Sequence, residues 1–312
     1  MGITLITFLG ALTLLLVAAQ HFTRAAERVG KWMGLSPFVV GVFIVGIGTS
    51  LPELISAMIS VRSGASEIVA GNVMGSSISN LLLITGIAAL IAKPVIQLGS
   101  RYIMIDMHYL LGAFFLFALI AHDGTITWHE GLFGIVTYVV YSTYLIRQGG
   151  EELEEALSAK GALKPSPARD ILILLAAGVA IYFGADFTIS SITKLAEVAN
   201  ISPALIALTV LSIGTTLPEL AVNVTAIRQG RSEMAIGNVL GSCVFNTLVV
   251  PAAGSFFGDV HVPHELLTFS LPVMLGAGLF FYLLTNDKRV SKWEGWIFVI
   301  LYALFITQLI MK

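Results

Sequence analysis

Apolar residues in this chain come in long runs separated by short polar stretches. Ten runs of about 20 residues can be read, near 2–23, 36–61, 67–92, 102–121, 129–147, 168–189, 202–227, 233–257, 265–284 and 293–311. As α-helices, each is long enough to cross about 30 Å of hydrocarbon. The pattern predicts an all-α polytopic membrane protein with the lipid bilayer as its surroundings. Composition agrees: 56% of residues are hydrophobic, 12% are charged, and the mean hydropathy is +0.90. A soluble domain carries roughly 25% charged residues. Val17-Ala18-Ala19 resembles a signal-peptide cleavage site, but no basic stretch precedes the first run, so that run is read as a retained span.

The short polar stretches give an orientation. With the N-terminus outside, 14 of the 17 Lys and Arg residues fall on the inner side. The outer side then holds Arg62, Lys194 and Lys312. The positive-inside rule therefore places both termini outside and the 148–167 loop in the cytoplasm.

One pattern occurs twice, 166 residues apart: Gly48-Thr49-Ser50-Leu51-Pro52-Glu53 and Gly214-Thr215-Thr216-Leu217-Pro218-Glu219. Aligned without a gap, 46–86 and 212–252 share 18 of 41 positions, including Arg62 with Arg228, Gly71-Asn72-Val73 with Gly237-Asn238-Val239, and Asn80 with Asn246. Ser36-Pro37 and Ser202-Pro203 keep the same offset and predict a capped helix start. The expected layout is a first five-helix repeat at 1–147, a linker loop at 148–167 and a second five-helix repeat at 168–312. An odd number of spans per half makes the second repeat enter from the opposite face, so the two are inverted.

Each copy sets a carboxylate and a proline inside apolar sequence. Ionisable residues within a span are costly and mark functional sites. Pro52 cannot bond to the Gly48 carbonyl four residues back, and Pro218 cannot bond to Gly214. Unwound chain is therefore expected before each proline, with freed carbonyls that a cation can satisfy. The hydroxyls of Thr49, Ser50, Thr215 and Thr216 add neutral oxygens, and Glu53 and Glu219 add charged ones. Ser76, Asn80, Ser242 and Asn246 offer more from spans three and eight. An all-oxygen set suits hard cations such as Na+, Ca2+ or Mg2+. Two neighbouring carboxylates repel when the site is empty, so protons or monovalent cations can compete there with Ca2+.

These motifs resemble the α-repeats of the calcium/cation antiporter superfamily, and most closely those of the prokaryotic sodium/calcium exchangers. The resemblance rests on 48–53 and 71–76, on their counterparts at 214–219 and 237–242, and on the five-plus-five layout. It implies ten transmembrane helices as two inverted repeats, with broken helices 2, 3, 7 and 8 forming an ion-binding core, and helices one and six sliding across it. It implies Na+/Ca2+ exchange, with Glu53 and Glu219 binding both ions and the main-chain oxygens of Thr49 and Thr215 joining the Ca2+ site. Ser50, Thr216, Ser76 and Ser242, with main-chain oxygens of Gly46 and Ser212, would serve flanking Na+ sites. Asn80 and Asn246 would line the centre. Some relatives carry Asp at the position of Asn246, so this site has one carboxylate fewer, which bears on the exchange stoichiometry. Because protons and Na+ both compete at glutamate, antiport of H+ for Ca2+, or of another divalent cation, is the alternative.

Other residues carry less. Glu151, Glu152, Glu154 and Glu155 lack the spacing of a Ca2+-binding loop and read as a solvated face. Asp106 and Asp186 read as charges near helix ends. His129-Glu130 lacks the second histidine of a zinc protease, and Cys243, the sole cysteine, reads as a packing residue. No basic, aromatic-interleaved patch points to nucleic acid. A cation channel or an intramembrane acid/base enzyme fits less well, because an inverted repeat supplies two access states and no nucleophile accompanies the glutamates. The expectation is a monomeric carrier of Ca2+ and Na+ in the plasma or inner membrane, with no cofactor.

Overall fold

In the computed structural model, residues 2–93, 95–98, 101–157, 167–198 and 216–311 are described. Their backbone is almost wholly helical, as it must be where lipid offers no partner to N–H and C=O groups. In chain order the helices are α1 (Gly2–Met33), α2 (Pro37–Val40), α3 (Ile47–Arg62), α4 (Glu67–Ile78), α5 (Thr85–Ile91), α6 (Arg101–Ile120), α7 (Trp128–Leu157), α8 (Pro167–Val198), α9 (Leu217–Arg228), α10 (Ser232–Leu248), α11 (Val250–Ser255), α12 (Leu271–Leu284) and α13 (Lys292–Met311). Wide π-helical turns at Gly41–Gly46, Ser79–Ile84 and Leu266–Ser270 join α2 to α3, join α4 to α5, and lead into α12.

Among the described residues, seven helical stretches are long and apolar enough to cross a membrane: Thr4–Met33, Pro37–Arg62, Glu67–Ile91, Ala168–Thr188, Ser232–Ser255, Leu266–Leu284 and Lys292–Met311. Met107–Ile120 is a shorter apolar helix, and most of the run read near 202–227 lies outside the described residues. α7 continues to Leu157, into the segment read as the linker loop.

Burial orders the helices. The apolar window of Ser232–Ser255 is 94% buried, against 22% for Lys292–Met311. α10 is thus the central post, although it carries Asn238, Ser242 and Asn246, while Leu172, Leu175, Val179 and Ile300 on other helices face outward. Polar groups gather inside and apolar ones face lipid. α10 packs against the Gly41–Gly46 turn and against α2, α3, α4 and α6. The approach is backbone to backbone. A Cβ on Gly237 would strike the Phe38 carbonyl oxygen, and one on Gly241 would lie 2.5 Å from the Val42 carbonyl oxygen. Small residues let helices approach this closely where lipid supplies no hydrophobic drive.

α1 lies along α8 and also packs on α9. At one end of this pair Arg28 meets Asp170 at 2.7 Å, while Glu27 joins Arg231 at 2.5 Å and Lys31 at 2.7 Å. Two small antiparallel sheets close the loops. β1 (Ile96–Gln97) pairs with β4 (Arg289–Val290), and β2 (Thr125–Ile126) with β3 (Val260–His261).

Candidate functional site

Ser36 starts α2 as its sequence predicts, its Oγ accepting the Val39 N–H at 3.4 Å. The chain does not unwind before Pro52. α3 runs helically through Pro52, and the irregularity is the π-helical turn over Gly41–Gly46, upstream of the motif. One proline removes one N–H, and a helix absorbs that loss more cheaply than a full break when neighbouring helices pack around it. The second copy behaves differently: Thr216 caps α9 with φ −96° and ψ 3°, and Pro218 stands in its first turn. Gly214, Thr215 and Ser212 lie outside the described residues.

The described candidates converge. Glu53 and Glu219 are 3% and 1% exposed, and Thr49, Ser50, Ser76, Asn80, Thr216, Ser242 and Asn246 are equally buried. The two carboxylates are close enough to feel each other's charge. Asn246 Nδ2 donates to Ser76 Oγ at 3.4 Å, linking α10 to α4. Ser242 Oγ donates to the Gly46 carbonyl oxygen at 3.3 Å, linking the α10 post to the π-helical turn. Ser79 Oγ and Thr216 Oγ1 lie 3.2 Å apart, linking the turn after α4 to the second motif.

Within this cluster, buried polar atoms outnumber their partners. No hydrogen bond of ordinary length and angle among the described residues reaches either carboxylate oxygen of Glu53 or of Glu219, or Ser50 Oγ, either amide atom of Asn80, or Asn246 Oδ1. The Cys243 thiol lies beside Asn80 but donates to the Ser77 carbonyl oxygen at 3.8 Å. Each buried polar group left unmatched costs about 1–3 kcal/mol, more for a charged one. Native structures hold few such groups, and a cluster of them calls for a ligand. Among the described residues no three His, Cys, Asp or Glu side chains gather at one point. The donor set is two carboxylates with neutral hydroxyl, amide and carbonyl oxygens, which suits a hard cation.

Sequence reasoning missed part of the cluster. Asn238 and Ser79 are also buried and contact Thr49 and Thr216, and the buried Asn223 donates to the Glu219 main-chain oxygen. Asn238 was detectable, since it recurs with Asn72 in the duplicated Gly-Asn-Val triplet and stands one turn before Ser242. Asn223 was not, because its repeat position holds Ala57. Asp186 is exposed, and Trp128 and Trp293 stand exposed at the starts of α7 and α13, as interfacial anchors do.

A cavity of about 720 Å³ opens beside the site, between α1, α3 and α8. Its wall includes Thr49, Pro52, Ser56, Ser60, Gly178, Tyr182 and Pro218. It lies along α3, whereas α1 is packed on α9.

The fold and its buried oxygen cluster are those of a helical membrane transporter. Comparison with known proteins agrees: the model of the sodium/calcium exchanger protein family matches residues 3–147 and 170–311. The chain belongs to the sodium/calcium exchanger family. It is 30% identical to the sodium/calcium exchanger MaX1 of Methanosarcina acetivorans, covering 98% of this chain and 97% of that one. It is 29% identical to an uncharacterized membrane protein of Methanocaldococcus jannaschii, over 97% and 96% of the two chains. Its structure resembles the sodium-calcium exchanger NCX_Mj soaked with zero Na+ and Ca2+, with a TM-score of 0.85 and 27% identity over 97% and 98% of the two chains.

Proposed function

We propose that this protein is a secondary antiporter that exchanges Na+ for Ca2+ by alternating access at a site built on Glu53 and Glu219. One observation carries the reading: two buried carboxylates within reach of each other's charge, together with the buried oxygens of Ser50, Asn80 and Asn246, have no hydrogen bond of ordinary geometry among the described residues. Two carboxylates neutralise one Ca2+, and the neutral oxygens flanking them suit Na+. Ser50, Thr216, Ser76 and Ser242, with the main-chain oxygens of Gly46 and Ser212, would hold Na+ on either side. The main-chain oxygens of Thr49 and Thr215 would join the two glutamates on Ca2+, with Asn80 and Asn246 at the centre.

The proposed architecture is ten spans in two inverted halves, 1–147 and 168–312, around a cytoplasmic 148–167 linker. The two small sheets support it. In a ten-span chain with both termini outside, the loops holding β1 and β4 share the inner face, and those holding β2 and β3 share the outer face. Each pairs with the other. The 166-residue offset roughly exchanges β1 with β3 and β2 with β4, as a two-fold axis in the membrane plane would. α3 ends at Arg62, on the proposed outer face, so the cavity along α3 is an outward path to the site. The packing of α1 on α9 closes the inward one. Sliding α1 and α8 together would exchange the two, with the protein working as a monomer in the cell membrane.

The test is ⁴⁵Ca²⁺ uptake into proteoliposomes loaded with Na+, at equal pH and K+ on both sides. Uptake that requires the outward Na+ gradient is the expected result. Uptake indifferent to Na+ but driven by a pH gradient would replace this reading with proton coupling.

Asn246→Asp is expected to make exchange more sensitive to acid. A third carboxylate beside two others raises the affinity of the group for protons, because like charges disfavour ionisation. Protons would then compete with Na+ at higher pH than in the parent, and activity would fall earlier as pH is lowered. Superimposable pH–rate and Na+-dependence curves for parent and variant would remove Asn246 from the site.

A further inference from the structure

Asn238 carries no role in the site as drawn so far, yet it is fully buried on α10. Two hydroxyls and two acceptors meet around it, and the Glu219 carboxylate lies near one of the hydroxyls, that of Thr49. Thr49 Oγ1 lies 3.4 Å from the Gly46 carbonyl oxygen and 3.3 Å from Asn238 Oδ1. Ser242 Oγ lies 3.3 Å from the same carbonyl and 3.5 Å from the same Oδ1. Each hydroxyl has one proton and therefore one donation to make, while each acceptor oxygen has two lone pairs. All four distances sit at or beyond the long end of the hydrogen-bond range. Neither acceptor holds the protons tightly, and both lie within reach of both hydroxyls.

This arrangement bears on how an ion enters. The Gly46 carbonyl is the main-chain oxygen that the proposed function gives to one flanking Na+. In an empty site the Thr49 and Ser242 hydroxyls can satisfy it. A cation arriving at that oxygen repels the two hydroxyl protons. They must turn away: the Thr49 proton towards Asn238 Oδ1 or the Glu219 carboxylate, and the Ser242 proton towards Asn238 Oδ1, its other acceptor among the described residues. Turning them towards Oδ1 leaves the hydroxyl lone pairs facing the ion. We infer that Asn238 is a positioning residue for Na+: its side-chain oxygen takes over the Ser242 hydroxyl proton, and shares that of Thr49 with Glu219, when Na+ takes the Gly46 carbonyl.

The role has a geometric basis in the close approach described above. Gly41 and Gly46 on one side, and Gly237 and Gly241 on the other, bring α10 against the π-helical turn without intervening side chains. That places Asn238 one turn from Ser242 and beside Gly46. Asn238 Nδ2 makes no hydrogen bond among the described residues, so the acceptor end of the amide is the one in use. Loss of the donor end should cost little.

The inference rests on the Na+-binding reading of the site, and its test separates the two. Purified protein is melted across a titration of NaCl at constant ionic strength, with choline chloride as the balance, and across a second titration of CaCl2 without Na+. The parent is expected to be stabilised by either ion, as a ligand that binds only the folded state must do. Asn238→Leu, which keeps the branching and heavy-atom count of the side chain and removes the acceptor, is expected to shift the Na+ midpoint upward about tenfold, on the scale of one lost hydrogen-bonding partner. The Ca2+ midpoint should move less than about twofold on the same scale. Asn238→Asp keeps the acceptor and discards the donor, and its Na+ midpoint is expected at or below the parent value. Asn238→Ala carries the same expectation as leucine and replaces it if leucine does not fold.

Equal movement of the Na+ and Ca2+ midpoints would make Asn238 a packing residue and overturn the inference. An Asp variant as impaired for Na+ as the Leu variant would overturn it too, since the amide would then act as a donor. A parent with no Na+ stabilisation would end it outright. A parent stabilised by Na+ whose Ca2+ uptake ignores Na+ would defeat the exchange reading alone and leave the Asn238 role standing.

Discussion

Glu53→Gln and Glu219→Gln are each expected to lower Na+-driven Ca2+ uptake by at least about 30-fold while leaving the protein folded. Removing one partner from a buried, desolvated charge contact costs about 2–5 kcal/mol, and every 1.4 kcal/mol is a factor of about ten in affinity. Both glutamates are buried and within reach of each other's charge, so a Ca2+ bound between them would lose half of its neutralising charge with either change. The fold should tolerate the substitution. Neither carboxylate makes a hydrogen bond of ordinary geometry among the described residues, and no salt bridge among them involves Glu53 or Glu219. In ion-free buffer the two carboxylates only repel, so glutamine should melt at or above the parent temperature. The pair of measurements is ⁴⁵Ca²⁺ uptake and thermal melting without ions. Transport near the parent level by both variants would remove the glutamates from the site. Loss of transport together with a collapsed melting transition would make them structural.

Gly237→Ala is expected to weaken both the fold and Na+ binding, although it adds one methyl group to a helix. In an ordinary helix interior the change would stabilise by roughly 0.5–1 kcal/mol. Here the new Cβ would run into the Phe38 carbonyl oxygen and lie 3.2 Å from Gly41 Cα. These are backbone atoms, so a rotamer change cannot relieve the contact, and α10 must move away from the π-helical turn. Overpacking of this kind costs about 1–3 kcal/mol. The movement would also open the Gly46–Ser242 contact of 3.3 Å, so the Na+ midpoint should rise along with the loss of stability. Gly241→Ala should behave alike, since its Cβ would lie 2.6 Å from Val42 Cα. Gly276→Ala is the control, because a Cβ there meets nothing within 4 Å. A Gly237→Ala protein that melts and binds Na+ like the Gly276→Ala control would disprove the close-approach account.

These two expectations draw on the sequence to different degrees. The membrane-protein class and both glutamates were readable without a structure, because a carboxylate inside an apolar run is too costly to be incidental and this one recurs with its proline 166 residues later. Gly237 and Gly241 were readable as members of a repeated motif, but not as contact points. Which residue a helical glycine faces depends on how another helix crosses it, and that partner lies nearly 200 residues away in the chain. Pro52 illustrates the converse. Its sequence signal predicted unwound backbone, and the structure keeps the helix and places a wide turn at Gly41–Gly46 instead. A local rule identifies the strained position, whereas the surrounding packing decides where the strain is relieved.

The sequence by itself determined that the chain is a helical membrane protein, that its polar motif is duplicated, and that two glutamates with a set of hydroxyl and amide residues are the candidates for its chemistry. It could do so because the cost of burying charge in lipid is a property of single residues and their spacing. Only the tertiary structure decided that α10 is the buried post, that α1 packs on α9 while a cavity opens along α3, and that Asn238 Oδ1 and the Gly46 carbonyl both lie within reach of the Thr49 and Ser242 hydroxyls. Those features depend on distances between segments far apart in the chain, set by which helix faces interlock. Residue type and periodicity specify which faces are apolar or small, but not which of them meet.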